Sequence, residues 1–391
     1  MRPFRISART LPHRCRRSQH QIDAFRSQWY EKQLPVRYDR ETFARLNTIP
    51  ALTKWIRPYA QATGRSALGP FELDYARFDG YGDAVVPVER TVWRADGAKT
   101  WDVKRFERFE APLSFFLDWV KLKSRDPAGF CPDESLYIAQ CPVGSLPDAL
   151  GADLPAPVYC TQRGGTAPDK IAGSSKGSAG GDLLSARVED SSVWMGMPPT
   201  ETPLHRDPNS NFLVQIAGWK TVRLMTPEDG QLMLAYAKRE VALHVGGRLD
   251  MSMRGEEMMV GPERALMSEL VWGPPSEGGM RTEEEAMLRN IDSGHSSVNI
   301  VGGDDVEVTA LGGLHDDEAE TGAYEASTQP PSDDELTSLG IFETNLTPGD
   351  ALFIPHGWYH SVRSIGNHMH GINMSANWWF RYGMTMNDGT K

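Results

Sequence analysis

The sequence predicts a mainly β domain, a sandwich or barrel, with flanking helices and one long insertion. Three observations predict it. From Ser135 onward the chain breaks into short alternating or fully apolar runs punctuated by Gly and Pro, the pattern of strands joined by tight turns. Strand-like sequence returns late, in LTPGDALFIPHGWYHSV, and closes in GINMSANWWFR. Between these blocks, from about 231 to 338, lies Met-rich, Gly-rich and acidic low-complexity sequence, too long and too irregular for an ordinary loop.

The first 22 residues carry Arg2, Arg5, Arg9, Arg14, Arg16 and Arg17 and no acidic residue before Asp23. Such a stretch reads either as a mitochondrial-type targeting leader or as a disordered basic tail, which leaves location open between cytoplasm, nucleus and mitochondrion. Residues 23–127 form an α/β flanking region. In APLSFFLDWVKLKS the apolar positions 113, 116, 117 and 120 share a helix face, and AVVPVERTVW reads as an extended piece. The β domain is expected over 128–391. Within it, GSSKGSAGG at 173–181 is a flexible loop, and NFLVQIAGWKTVRLMTP reads as two strands around Gly218.

Charge is unevenly spread. Asp304 to Glu335 holds eleven acidic residues, equal to the whole net excess of −11, and no Lys or Arg occurs from Asp292 to Val362. That composition cannot bury enough apolar surface to offset the entropy of ordering it, so 280–335 is expected to be mobile. The rest of the chain is nearly balanced, which gives no electrostatic footprint for tight nucleic-acid binding. No run of eighteen apolar residues is present, so no membrane span is expected. Cys15, Cys131, Cys141 and Cys160 form no C-x-x-C pair and suit a reducing compartment.

The chemistry concentrates in TETPLHRDPNSN at 200–211. In a strand, residues two apart point the same way, so His205 and Asp207 can both face a barrel interior while Arg206 faces out. One imidazole and one carboxylate are two members of the two-histidine, one-carboxylate facial triad that holds ferrous iron with open positions. The second histidine is best supplied by His360 of LFIPHGWYHSV, which shares a strand face with Trp358. His356, in the turn, and His368 and His370, in GNHMH, are its rivals. His315-x-Asp317 repeats the spacing without alternating apolar neighbours and reads as a solvated loop. Lys220 shares a strand face with Val222 and Leu224. A lysine there either reaches solvent at the strand end or meets an anion inside.

Thr202, His205, Asp207, Asn211 and Lys220 in TPLHRDPNSNFLVQIAGWK, then His360 in PHGWYH, then Asn377 and Trp379 in NWWF, resemble the JmjC-domain 2-oxoglutarate oxygenases. The resemblance is to the small hydroxylase branch that includes the asparaginyl hydroxylase acting on hypoxia-inducible factor, and it covers about 135–230 and 340–381. It implies a double-stranded β-helix, the cupin-like jelly roll, with iron(II) on His205, Asp207 and His360. It implies Lys220 on the distal carboxylate of 2-oxoglutarate, Thr202 and Tyr137 as hydroxyl donors to it, and Asn211 and Asn377 lining the keto-acid end. The implied reaction is a dioxygenase one: dioxygen and 2-oxoglutarate are consumed, succinate and CO2 released, and a carbon of a macromolecular substrate, a protein side chain first of all, is hydroxylated. Lysine demethylation, tRNA-base hydroxylation and an inactive binding module are the alternatives, with zinc hydrolysis behind them. A homodimer is left open.

Overall fold

The computed structural model describes residues 16–58, 71–93, 103–126, 129–131, 133–161, 184–245, 259–272, 339–365 and 371–384. The flank opens with α1 (Arg16–Phe25), β1 (Val36–Tyr38), α2 (Arg40–Ala44), α3 (Ala51–Lys54), β2 (Ile56–Pro58) and β3 (Phe71–Leu73). It continues with β4 (Val85–Trp93), β5 (Val103–Pro112) and α4 (Leu113–Arg125), β4 and α4 being the extended and helical patterns expected there. The strands of the main domain are β6 (Glu134–Pro142), β7 (Leu184–Gly196), β8 (Glu201–Arg206), β9 (Ser210–Ala217) and β10 (Trp219–Met225), with the short α5 (Asp148–Gly151) between β6 and β7. Then come α6 (Pro227–Val245), α7 (Gly261–Trp272), β11 (Phe342–Leu346), β12 (Ala351–Ile354), β13 (Tyr359–Ile365) and β14 (Asn373–Met384).

Two antiparallel sheets face each other as a jelly roll. The major sheet runs β1-β12-β9-β14-β7-β6-β4-β5 and the minor sheet β11-β10-β13-β8. The β9 sequence SNFLVQIA is buried at every position because both of its faces are covered. Phe212, Val214 and Ile216 point outward to the largest core, built with Phe25, Phe43 and Trp55 of the flank, whereas Leu213 points inward. Between the sheets, Leu213, Val222, Leu224, Leu352, Ile354, Trp358 and Val362 form a second core. At Gly218, where φ is +66°, the chain leaves the major sheet for the minor one. A Cβ there would meet the Ile372 carbonyl at 2.9 Å and the Asn373 amide at 2.8 Å, so the corner requires glycine.

The structure changes two expectations. The flank is not a separate layer: β1, β4 and β5 are strands of the major sheet itself, so the boundary drawn near 127 crosses a continuous ladder. Strand periodicity marks a strand without naming its partner, which is why the sequence did not show this. The segment from 231 to 338 is also not loop throughout. Its start continues α6 and its middle contains α7; Met233 and Ala237 of α6 and Met267 and Val271 of α7 pack on Leu204, Met225 and Tyr359 at the outer face of the minor sheet. The i, i+4 spacing of those pairs is a helical stripe hidden inside a Met-rich composition. Residues 1–15, 173–181, 280–335, His315, Asp317, His368 and His370 lie outside the described residues.

Candidate metal and keto-acid site

Pairing of β8 with β13 sets His205 directly opposite His360, with ring centroids 4.2 Å apart. Asp207 follows one residue past the end of β8, where its carboxylate turns back toward both rings. His205 Nε2 lies 3.8 Å from Asp207 Oδ1, and His360 Nε2 lies 3.5 Å from Asp207 Oδ2. One ligand atom from each residue falls within 4.8 Å of the others. Both Nδ1 atoms face backbone carbonyls, that of Pro203 at 2.8 Å and that of Trp358 at 3.4 Å. A carbonyl can only accept, so each Nδ1 carries a hydrogen, which leaves Nε2 of each ring as the atom available to a metal.

Electrostatics keep the cluster in its ligating form. Burial, with His205 alongside, pushes His360 down to about 4 against the opposing pull of Asp207, so its imidazole is neutral near pH 7. Burial works against ionised Asp207, but charge on His360 or His205, together with the hydrogen bond from Asn211, holds the carboxyl below its ordinary range, so its ionisation is tied to the protonation of the two rings. Asn211 Nδ2 donates to Asp207 Oδ2 at 2.8 Å, and Asn377 Nδ2 donates to Asn211 Oδ1 at 2.9 Å. The two asparagines thus line the cavity, as expected, and also form a relay that fixes the carboxylate. Two imidazole nitrogens and one carboxylate oxygen on one side of a cavity are a donor set that fits ferrous iron.

The triad opens into a cavity that is also lined by Tyr137, Thr202, Asn211, Lys220 and Asn377. Lys220, on β10, does not reach solvent at a strand end; it is 3% exposed and points between the sheets. Its Nζ donates to Ser375 Oγ at 2.5 Å and lies 3.4 Å from the Tyr137 hydroxyl. Burial pushes its pKa down to about 7, since no carboxylate meets it among the described residues. A buried cation of this kind favours an anionic ligand. Tyr137, held above its ordinary range by burial and by Glu89, stays a hydroxyl donor. Its ring position depends on its register partner Gly196, where a Cβ would lie 2.4 Å from Tyr137 Cδ2. This part of the cavity therefore suits a carboxylate: the Lys220 amine stands beside the hydroxyls of Ser375 and Tyr137 with no carboxylate of the described residues against it.

Sequence reasoning placed the triad residues and the five cofactor candidates, and the structure brings all of them into this one cavity. His356, the rival in the turn, is exposed, and its backbone N–H is bonded to Ser210 Oγ at 3.2 Å. Of the cavity residues with polar side-chain atoms, Ser375, Gln140 and Trp194 were missed. Ser375 had a signal, two positions before Asn377 on the same strand face; Gln140 and Trp194 needed knowledge of which strands pair.

A family model described as a cupin-like domain matches residues 45–386. The chain belongs to the cupin-like domain family. Among curated proteins, it is similar to the Danio rerio protein named lysine-specific demethylase 8, 26% identical over 160 residues, which is 41% of this chain and 31% of that protein. It is similar to JmjC domain-containing protein F of Dictyostelium discoideum, 23% identical over 188 residues, 48% of this chain and 26% of that one. It is also similar to the Arabidopsis thaliana protein named lysine-specific demethylase JMJ30, 31% identical over 93 residues, 24% of this chain and 17% of that one. The matched stretches thus span less than a third of each relative. These similarities support the JmjC resemblance and the jelly roll; they do not single out the asparaginyl hydroxylase branch.

Proposed function

We propose that this cupin-like chain is an iron(II)- and 2-oxoglutarate-dependent dioxygenase that hydroxylates a carbon of a protein side chain. One observation carries the reading: the His205, Asp207, His360 cluster and the buried Lys220, which lies four residues along β10 from the partner of His360, line a single cavity. A zinc hydrolase would use the cluster and leave Lys220 without a task, and a decayed binding module would not be expected to keep both. Bound there, the metal and keto acid supply oxidative decarboxylation coupled to insertion of one oxygen of dioxygen into a C–H bond. His205, Asp207 and His360 hold the metal, Asn211 and Asn377 orient Asp207, and Lys220, Tyr137, Ser375 and Thr202 take the distal carboxylate. The apolar walls Leu213 and Val362 exclude water.

The names of two relatives favour a second reading, hydroxylation of an N-methyl group with loss of formaldehyde, which is lysine demethylation. The experiment separates the two. Purified protein loaded with Fe(II) is expected to convert 2-oxoglutarate to succinate slowly without substrate, and His205→Ala or Asp207→Ala is expected to abolish both metal binding and turnover. Unchanged metal content in those variants would sink the assignment. Proteomes with and without the protein are then compared for +16 mass shifts on side chains, the expected result; methyl-lysine loss with formaldehyde release would instead establish the demethylase.

A further inference from the structure

The lip of the cavity contains a backbone irregularity that the metal and keto-acid roles do not use. On β6, Ile138 pairs with Met195 of β7 and Cys141 pairs with Val193, so Trp194 alone faces two residues, Ala139 and Gln140. This is a β-bulge, a device that re-aims a side chain. Its effect is visible in the parity of the strand. Tyr137 lines the cavity, while Ile138 and Cys141, three positions apart, both pack into the outer core. Strict alternation would send Gln140 into that core beside them. The extra residue turns it instead to the cavity rim, where it is exposed and lines the wall with Trp194. The turn is made at φ +51°, in the left-handed region, which a glutamine adopts only at a cost. Strain of that kind, held in place by the surrounding sheet, marks positions where the conformation serves a function.

The groups so placed have unspent hydrogen-bonding capacity. The Gln140 carboxamide makes no hydrogen bond among the described residues, and the Trp194 indole N–H is buried without a partner. Together they offer donors and one acceptor in neutral, planar groups. Among the described lining residues, the one carboxylate is Asp207 and the one ammonium is Lys220, both occupied by the roles assigned above. A cationic side chain would find no free anion on this wall. A neutral amide, which gives one C=O and at least one N–H, matches the two groups in number and polarity.

We propose that Gln140, with Trp194, is a substrate-positioning residue that clasps a neutral amide of a peptide substrate at the mouth of the cavity. This rests on the oxygenase reading and deepens it by naming the chemistry of the substrate. Its test uses the full-length, Fe(II)-loaded protein with 2-oxoglutarate and three synthetic peptide libraries centred on asparagine, alanine or dimethyl-lysine, reading succinate release above the substrate-free rate and +16 products. The asparagine and alanine arms separate a side-chain amide from a backbone one. Gln140→Gly removes the carboxamide while glycine accepts φ +51° without strain, so the fold survives, with an equal or higher thermal midpoint. It is expected to raise the peptide KM at least tenfold with a smaller change in kcat, and Gln140→Asn, which keeps a carboxamide and tolerates the same φ, is expected to recover part of the loss. A peptide KM unchanged in Gln140→Gly, stimulation by the dimethyl-lysine library alone, or no stimulation by any library overturns the proposal. Absence of substrate-free succinate release in the unsubstituted protein is a different failure, that of the oxygenase reading itself.

Discussion

Lys220 shows how one residue ties the site to the energetics of the fold. The unfolded chain holds its ordinary lysine proton up to about pH 10.5, whereas burial brings the folded value to about 7. Between those limits the unfolded state binds more protons, so stability of the ligand-free protein is expected to rise with pH across that window. Ligation reverses the preference, because a carboxylate beside the amine restores its charge. Binding of 2-oxoglutarate is therefore expected to take up a proton above pH 7 and to weaken as pH rises further. Lys220→Met should flatten both profiles. It should also loosen 2-oxoglutarate binding by about tenfold to a hundredfold, the worth of a charge-assisted contact of roughly 1.5–3 kcal/mol. Isothermal titration in buffers of different ionisation enthalpy reads the proton uptake; the same uptake in Lys220→Met would place the titrating group elsewhere.

At the scale of elements, the minor sheet that carries the triad is braced from outside by α7. Glu201 of β8 receives Arg363 of β13 at 3.1 Å and Arg264 of α7 at 3.5 Å, and its side chain is 1% exposed. Arg363 also donates to Ser268 at 2.6 Å and stacks on Trp272. Glu201→Ala would leave two guanidiniums buried together. Loss of one partner from such a group costs about 3–5 kcal/mol, and a urea melt should show that loss, with weaker metal retention because β8 carries His205. From the other sheet, Gly196→Ala is expected to displace the Tyr137 ring and to cost roughly 1–3 kcal/mol of overpacking, with weaker binding of 2-oxoglutarate; unaltered affinity would show that Tyr137 does not touch it. These elements also show what the sequence could reveal. His205, Asp207 and Lys220 were legible because strand parity is local and a metal or an anion demands rare residue types. The bulge at Gln140 was not, because it is defined by the register of a partner strand. The helix α7 was not, because its stripe is apolar only relative to a sheet supplied from elsewhere in the chain.

The whole molecule is layered: flank helices, major sheet, inter-sheet core with the cavity, minor sheet, then α6 and α7. The flank closes both edges of the major sheet, β1 beside β12 and β4 with β5 beside β6. A fragment beginning at residue 128 would expose β6 and β12 and uncover the outer face of β9. It is expected to lack a cooperative thermal transition and to aggregate through the opened strands. A fragment that melts cooperatively and retains metal would show that the flank is dispensable.

The face-to-face meeting of His205 and His360 also bears on how such a chain can vary over generations. Everything that separates α7 from β11 lies in sequence between these two partners, yet their register is set by the ladders of β13 with β8 and β10. The entropic cost of joining two fixed points of a fold grows only with the logarithm of the length of the joining chain, about 0.6 kcal/mol for each doubling. A lineage could lengthen, shorten or rewrite that connection at little thermodynamic expense while the reactive centre stayed in register. The stretch thus offers room for evolutionary experiment, one in which new recognition or regulation could be tried without risk to the chemistry.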